Sequence, residues 1–172
     1  MSERAVTSLT NPTVKAVRAL HMRKARDETG LFVAEGLKNV TEGVETGHAP
    51  HILMYGPEAA RHPLLAKAVA AAHAAGGETL QVTPEILAKV SRRDNPQAVV
   101  GVFAQAFRPL ERVEPGPAAC VVALHRVRDP GNLGTIVRTA DAAGCGGVVL
   151  VGECCDPYSV EAVRATMGSI FA

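Results

Sequence analysis

Apolar segments of strand length alternate with helical segments along most of this chain of 172 residues. Short apolar runs occur at 31–34, 51–55, 80–82 and 99–106, and a segment with apolar residues at helical spacing lies next to each of them. Such alternation is typical of an α/β fold, in which helices pack against a sheet. We therefore expect an α/β domain over residues 1–107.

Two of the predicted helices in this region have recognisable ends. An alanine-rich helix over 63–75 ends at Gly76, because a glycine releases the chain at a helix C-terminus. Thr83 is a capping residue, and Pro84 occupies the first helical position of a helix that runs to about Ser91. These local signals support the alternation of strands and helices.

A second α/β region follows a break in the pattern. Residues 108–117 contain three prolines and one glycine without clear periodicity, which predicts a linker before a domain over 118–172. The apolar runs at 119–124 and 147–151 are typical of parallel strands buried on both faces. Between them we expect a helix with Asn132 at its N-cap.

The composition favours a folded, cytoplasmic protein without a membrane span. Hydrophobic residues make up 47% of the chain and charged residues 20%, and no apolar run approaches the roughly 18 residues that a membrane span needs. Residues 1–10 also lack the apolar core of a signal peptide. The four cysteines form no C-x-x-C pair, so we expect no metal site, and we expect Cys120 and Cys145 to be buried thiols.

Positive charge is concentrated near the start of the chain, although the formal net charge is only +1. Six basic residues and one acidic residue, Glu3, occur up to position 26. Clustering of this kind is what a phosphate-binding face requires, and a solvated helix face is the alternative. The basic residues are Arg4, Lys15, Arg18, Arg23, Lys24 and Arg26, of which Lys15, Arg18, Arg23 and Arg26 are the candidates for binding the phosphates of a nucleic acid.

The loop and helix over 128–141 form the most informative segment. A loop that leaves the carboxyl end of a parallel strand is where open α/β sheets bind ligands. The G-x-G-x-x-G spacing of a dinucleotide site and the Gly-Lys-Ser/Thr of a P-loop are both absent. Arg138 is five residues beyond Leu133, about 140° around the helix and away from its core stripe. Arg138 can hold a phosphate through two hydrogen bonds or pair with Asp141.

The segments 128–141 and 156–171 resemble motifs one and two of the SpoU/TrmH family, which belongs to the SPOUT class of RNA methyltransferases. The front region resembles the family's L30e-like substrate-binding domain through Asn11-Pro12, 30–36 and 95–97. The resemblance implies a small L30e-like α/β domain followed by the first part of a SPOUT parallel-sheet domain. We expect the chain to be truncated before the trefoil knot that this domain forms.

The resemblance also implies an activity and a set of functional residues. It implies transfer of a methyl group from S-adenosylmethionine to a ribose 2'-hydroxyl of rRNA or tRNA, by a homodimer. Asn132 and Arg138 are the implied catalytic residues, and Arg128 and Arg164 join the RNA-binding candidates. The motif that forms the donor pocket is expected beyond Ala172. Two alternatives stay open: a non-catalytic RNA-binding protein of the L30e-like type, and a nucleotide-binding α/β protein unrelated to RNA.

Overall fold

The computed structural model describes residues 4–172, with no description of the side chain of Arg4. The chain divides after Ala104 into a first unit, Met1–Ala104, and a second unit, Gln105–Ala172. The limits of the expected domains and of the linker over 108–117 stay predictions. Within the described residues, no helix combines the length and the apolar character that crossing a bilayer would require.

The first unit is a five-stranded mixed sheet flanked by helices. Its strands are β1 (Arg4–Val6), β2 (Leu31–Glu35), β3 (Ile52–Tyr55), β4 (Glu78–Val82) and β5 (Val99–Ala104). Its helices are α1 (Pro12–Ala19), α2 (Arg23–Thr29), α3 (Leu37–Glu45), α4 (Pro63–Ala74) and α5 (Pro84–Ser91). The strand order is β1-β4-β3-β5-β2; the first three strands are parallel, and β5 is antiparallel to both β3 and β2.

Both faces of this sheet are buried. Leu53 and Met54, consecutive residues of β3, are both 0% exposed, and consecutive strand residues point to opposite faces of a sheet. The covering layers are two helix pairs, α1 against α5 and α3 against α4. The expected α/β class is therefore confirmed.

The helix ends in the first unit follow the local signals. The Thr83 hydroxyl accepts a hydrogen bond from the Ile86 amide at 3.3 Å, as its capping role predicted. Asn11 caps α1 by accepting hydrogen bonds from the amides of Thr13 and Val14. Gly30 then ends α2 in the left-handed conformation, with φ of 66°. Strand β1 was not anticipated by the sequence analysis, because three residues are too few to show a periodicity.

The second unit contains a β-α-β arrangement followed by one more helix. Its elements are β6 (Val122–His125), α6 (Pro130–Ala142), β7 (Val148–Val151) and α7 (Val160–Thr166), with short 3-10 helices at Leu110–Arg112 and Ser169–Phe171. Strands β6 and β7 are parallel, with Val122 opposite Val148 and His125 opposite Val151. The expected parallel pairing is confirmed.

Three expectations for this unit were wrong. Strand β6 begins at Val122 rather than at 119. Neither strand is buried on both faces, since the residues of β6 alternate between half-buried and exposed and those of β7 are half-buried except for the exposed last residue. The exposed residues Ala123 and His125 lie on one face of β6, because residues two apart share a face, so that face is open. The thiols expected to be buried are not, since Cys120 is exposed and Cys145 is half-buried.

Helices α6 and α7 pack closely at Gly134. A Cβ atom at this position would lie 2.3 Å from the Ala162 carbonyl oxygen and 2.6 Å from the Ala165 Cβ. Contacts this short with backbone cannot be relieved by moving a flexible side chain. Gly134 therefore determines how near α6 lies to α7.

We expect Gly134→Ala to lower the stability of the second unit. Alanine in a helix interior is ordinarily favoured over glycine by about 1 kcal/mol, but overpacking costs about 1–3 kcal/mol, and here the clash is with backbone. The urea midpoint of unfolding should therefore fall. Gly147→Ala is the matched control, because its Cβ would meet only a Val113 methyl group at 3.5 Å. A midpoint for Gly134→Ala at or above the wild-type value would contradict the packing argument.

Candidate functional site

Two loops are joined at the carboxyl ends of β6 and β7. The Cys155 amide donates a hydrogen bond to the Val127 carbonyl oxygen at 2.8 Å. Arg126 has a φ of 55°, and Gly152 in the facing loop has a φ of 70°. A Cβ at Gly152 would lie 3.3 Å from the Arg126 Cγ, so a glycine permits the close approach of these loops. This edge of a parallel sheet is where α/β folds bind ligands.

Helix α6 begins directly after the first of these loops. Its N-cap is Asp129, whose Oδ1 accepts a hydrogen bond from the Asn132 amide at 2.6 Å, and Pro130 is the first helical residue. The expectation that Asn132 is the N-cap was wrong, because Asp129-Pro130 provides the stronger start signal. Asn132 is consequently the third residue of the helix. Its exposed side-chain amide forms no hydrogen bond with residues 4–172.

Arg138 lies on the same exposed side of α6. It forms no ion pair or hydrogen bond within the described part of the chain, so the alternative pairing with Asp141 is not formed. Helix geometry places it about 9 Å along the axis from Asn132 and about 120° around it. The hydroxyls of Thr135 and Thr139, also on this side, donate to carbonyl oxygens of the helix itself. The exposed polar groups free to meet a ligand here are thus an amide and a guanidinium.

The two other arginines suggested by the resemblance are placed differently. Arg128 is exposed and its Nη2 lies 3.1 Å from a carboxylate oxygen of Glu153, which links the two loops at the sheet edge. Arg164 in α7 is half-buried. Thr166, in the same helix, is fully buried and donates its hydroxyl hydrogen to the Val163 carbonyl oxygen at 2.7 Å. The RNA-binding roles of both arginines stay predictions.

A cavity of the second unit lies along the inner side of α6. It has a volume of about 830 Å³ and is lined mainly by segment 106–116, the inner side of α6 and β7. Neither Asn132 nor Arg138 is among its lining residues. At one end the Ala106 amide donates to the Tyr158 hydroxyl oxygen at 2.9 Å, and burial raises the pKa of Tyr158. Asn132 and Arg138 therefore do not line this cavity, and a donor pocket beyond Ala172 stays a prediction.

The basic residues of the first unit fall into two groups. Lys15 and Arg18 are exposed on α1 and have no acidic partner within residues 4–172. On α2, Arg23 lies 3.6 Å from Asp27 and Lys24 lies 3.8 Å from Glu28. The helix α2 therefore carries its own counter-charges, whereas the charge on α1 is not compensated.

Arg26 does not belong to the exposed basic face. Its side chain is only 3% exposed, and its guanidinium Nη1 donates to the Leu20 carbonyl oxygen at 2.7 Å. This contact satisfies a carbonyl group at the end of α1, which is a structural role. The expectation that Arg26 contacts RNA is therefore corrected, because the guanidinium is turned into the protein.

A basic cleft on the first unit was missed by the sequence analysis. It is a depression of about 280 Å³ between α1 and the end of α5, and it gathers four cations and one carboxylate. The charged residues lining it are Arg18, Lys89, Arg92, Arg93 and Asp94. None of the four cations forms an ion pair within the described chain. Arg92 also ends α5 in the left-handed region, at φ 53° and ψ 42°. The run of cations from position 89 to 93 was the available signal.

Comparison with known proteins gives matches over most of the chain. A family model described as the MRM3-like substrate binding domain matches residues 11–101. A second model, described as the SpoU rRNA Methylase family, matches residues 119–172. The two matches fall in the two regions where the sequence motifs occur.

Curated relatives and solved structures give consistent results. An uncharacterized tRNA/rRNA methyltransferase of Synechocystis is 34% identical over 96% of this chain and 59% of its own length. The 23S rRNA (guanosine(2553)-2'-O)-methyltransferase RlmP of Bacillus subtilis is 30% identical over 96% of this chain and 62% of its own. An AdoMet-bound rRNA methyltransferase structure from Sinorhizobium meliloti has a TM-score of 0.89 and 51% identity, covering 98% of this chain and 62% of that one. This chain therefore spans about three fifths of the length of these proteins.

Proposed function

We propose a function from the premise that this chain belongs to the SpoU rRNA methylase family. The whole protein is proposed to transfer a methyl group from S-adenosylmethionine to a ribose 2'-hydroxyl of rRNA or tRNA. The observation that carries the proposal is the pair Asn132 and Arg138, both exposed and without a side-chain partner in residues 4–172, on the helix that follows the ligand-binding edge. The names of the relatives support it. In this proposal residues 1–107 bind RNA, and residues from 118 onward begin the catalytic domain.

Arg138 is proposed to clamp the phosphate next to the target ribose. A guanidinium stays protonated at ordinary pH, so it cannot act as the base that removes the hydroxyl proton. It can donate two parallel hydrogen bonds to a phosphate and polarise the neighbouring hydroxyl. Its exposure and its lack of a partner in the described chain leave all of its donors available.

Asn132 is proposed to orient the reacting hydroxyl. Its side-chain carbonyl oxygen can accept the hydroxyl hydrogen, and its NH₂ group can donate to a second ribose or phosphate oxygen. Alignment matters because a ribose hydroxyl is a weak nucleophile, and a well-oriented nucleophile reacts far faster than a free one. Since Asp129 caps α6, the Asn132 side chain is free for this role.

S-adenosylmethionine would supply the electrophilic methyl group. Its pocket is proposed to lie beyond Ala172. The roles proposed for Asn132 and Arg138 therefore concern the RNA and its hydroxyl alone.

The proposed activity predicts incorporation of labelled methyl groups into RNA by the full-length protein. Tritiated S-adenosylmethionine with rRNA and tRNA as separate substrates is the measurement, and nuclease digestion locates the label on the ribose. Retention of RNA binding with no label in either RNA class would favour the non-catalytic alternative instead.

Within that assay, Arg138→Lys should reduce methyl transfer about 10-fold to 100-fold. Lysine keeps the charge but loses the paired geometry, and a hydrogen bond to a charged group is worth about 1.5–3 kcal/mol. Arg61→Lys is the matched control, because Arg61 is exposed in the first unit and has no role in the proposed site. Undiminished transfer by Arg138→Lys would refute the clamp.

The basic cleft, together with Lys15 and Arg23, is proposed to bind the RNA backbone. Arg18 was expected from the sequence, and Lys89, Arg92 and Arg93 are added by the structure. Phosphate affinity depends on the number of cations that lack protein counter-charges, because each contact releases counterions from the RNA. Arg23 would have to exchange Asp27 for a phosphate, and such exposed ion pairs are weak.

Replacement of Arg18, Lys89 and Arg93 with alanine should weaken RNA binding and flatten its salt dependence. Each lost phosphate contact lowers the slope of log affinity against log salt by about 0.7–0.9. The measurement is a titration of labelled rRNA at several salt concentrations. The control replaces Lys38, Arg61 and Arg108, which are also exposed, carry the same total charge and have no ion pair within residues 4–172. An equal loss of slope in both variants would indicate general electrostatics rather than a specific face.

We further propose that the whole protein works as a homodimer, which rests on the family resemblance, and that it works in the cytoplasm, as the sequence led us to expect. Sedimentation of the full-length protein should give twice the mass of one chain. A monomer at the concentrations used for the methyl-transfer assay would contradict the dimer.

A further inference from the structure

Two cysteines of the second unit are held with their sulfur atoms close together. The Sγ atoms of Cys120 and Cys145 are 2.9 Å apart, less than 1 Å longer than a disulfide bond of about 2.0 Å. Cys120 precedes β6, and Cys145 lies between α6 and β7. The other two cysteines are placed differently, since the Cys154 Sγ faces the carbonyl oxygens of Leu124 and Val151.

The backbone around the two cysteines fixes this approach. The Gly146 amide donates to the Cys120 carbonyl oxygen at 2.9 Å, and the Ala118 amide donates to the Gly144 carbonyl oxygen at 3.1 Å. These hydrogen bonds lie on either side of the pair and continue the pairing of β6 with β7. The proximity of the sulfurs therefore follows from main-chain geometry as well as from the choice of side-chain rotamer.

The surroundings favour thiol chemistry over metal binding. Cys120 is exposed and Cys145 is half-buried, so small solutes can reach the pair. No group of three or more potential metal ligands occurs among the described residues, so two thiols stand alone. A pair of thiols within bonding reach, but without further ligands, is suited to forming a disulfide.

We propose that Cys120 and Cys145 form an oxidation site, which a small disulfide such as oxidised glutathione converts to an intramolecular disulfide. The Cys120 thiolate attacks one glutathione sulfur, and the glutathione thiolate that leaves takes up a proton. The Cys145 thiol then loses its proton and displaces the second glutathione from Cys120. Two protein thiols are oxidised, one S–S bond forms, and one glutathione disulfide is reduced to two thiols.

The order of attack follows from the exposure of the two thiols. Cys120 is exposed and Cys145 is half-buried, so Cys120 meets glutathione first and Cys145 enters at the second step. The hydrogen bond with Cys120, followed by burial, also raises the pKa of Cys145 above its ordinary value. The thiolate is the attacking species in each step.

The disulfide would act on stability rather than on the proposed catalytic residues. It would close a loop that contains the whole of α6, and such a crosslink limits the freedom of the unfolded chain. The pair lies at the amino ends of β6 and β7, whereas α6 starts at the opposite edge. Oxidation should thus raise resistance to urea without requiring any change at Asn132, and it is independent of the proposed function.

The test is oxidation of the chain with glutathione disulfide, followed by alkylation and peptide mass spectrometry without reduction. A peptide that links Cys120 to Cys145 is expected, with the other two of the four cysteines alkylated. The oxidised form should unfold at a higher urea concentration than the reduced form. The matched control is the double variant Cys154→Ser/Cys155→Ser. It should form the same linked peptide as the wild type and show the same gain in urea resistance.

Cys120→Ser and Cys145→Ser should each abolish both the linked peptide and the gain in urea resistance. Their unfolding midpoints under reducing conditions should equal that of the reduced wild type, which shows that the variants fold. The proposal is overturned if glutathione remains attached to Cys120 as a stable mixed disulfide. Crosslinks between chains or unreacted thiols would overturn it as well.

Discussion

The hydrogen bond from the Asn132 amide to the Asp129 carboxylate determines how the second unit presents its polar side chains. It starts α6 at Pro130, one residue after the cap, so Asn132 falls within the first helical turn. A helix that started at Asn132 would use that side chain to satisfy its own amides. Because Asp129 is the cap, the Asn132 side chain is not needed to cap α6 and is available to a ligand. The same start position places Arg138 on an exposed part of the helix surface.

The packing of α6 on α7 keeps this rotation in place. Gly134 lies about 160° around α6 from Asn132 and one turn before Arg138, and the Ala162 carbonyl oxygen occupies the space that a side chain would need. A helix held against a neighbour's backbone cannot turn without opening that contact. The same glycine that allows close packing thus makes α6 a rigid base for Asn132 and Arg138, as a precise site requires.

Sequence reasoning mostly succeeded where the determinants are local, although it placed the N-cap of α6 at Asn132 instead of Asp129. The cap at Thr83, the order of strands and helices, and both family motifs depend on residues adjacent in the chain. It failed where long-range packing decides the outcome. Arg26 looks like any other surface arginine until Leu20 is seen to accept its hydrogen bond, and the basic cleft joins Arg18 to cations about 70 positions later in the chain. Cys120 is exposed although it lies in an apolar run, and β6 starts later than that run indicates.

The ion pair between Arg128 and Glu153 places a negative charge beside a candidate phosphate contact at the carboxyl ends of β6 and β7. Any phosphate that approaches Arg128 also meets the negative charge of Glu153, so a loosely placed polyanion gains little from this arginine. Only a phosphate seated closely enough to replace the carboxylate recovers the full attraction. In the proposed complex, a correctly seated RNA would thus gain the full attraction of Arg128, whereas an incorrectly seated RNA would not. The protein would therefore discriminate between the two before it contacts any base.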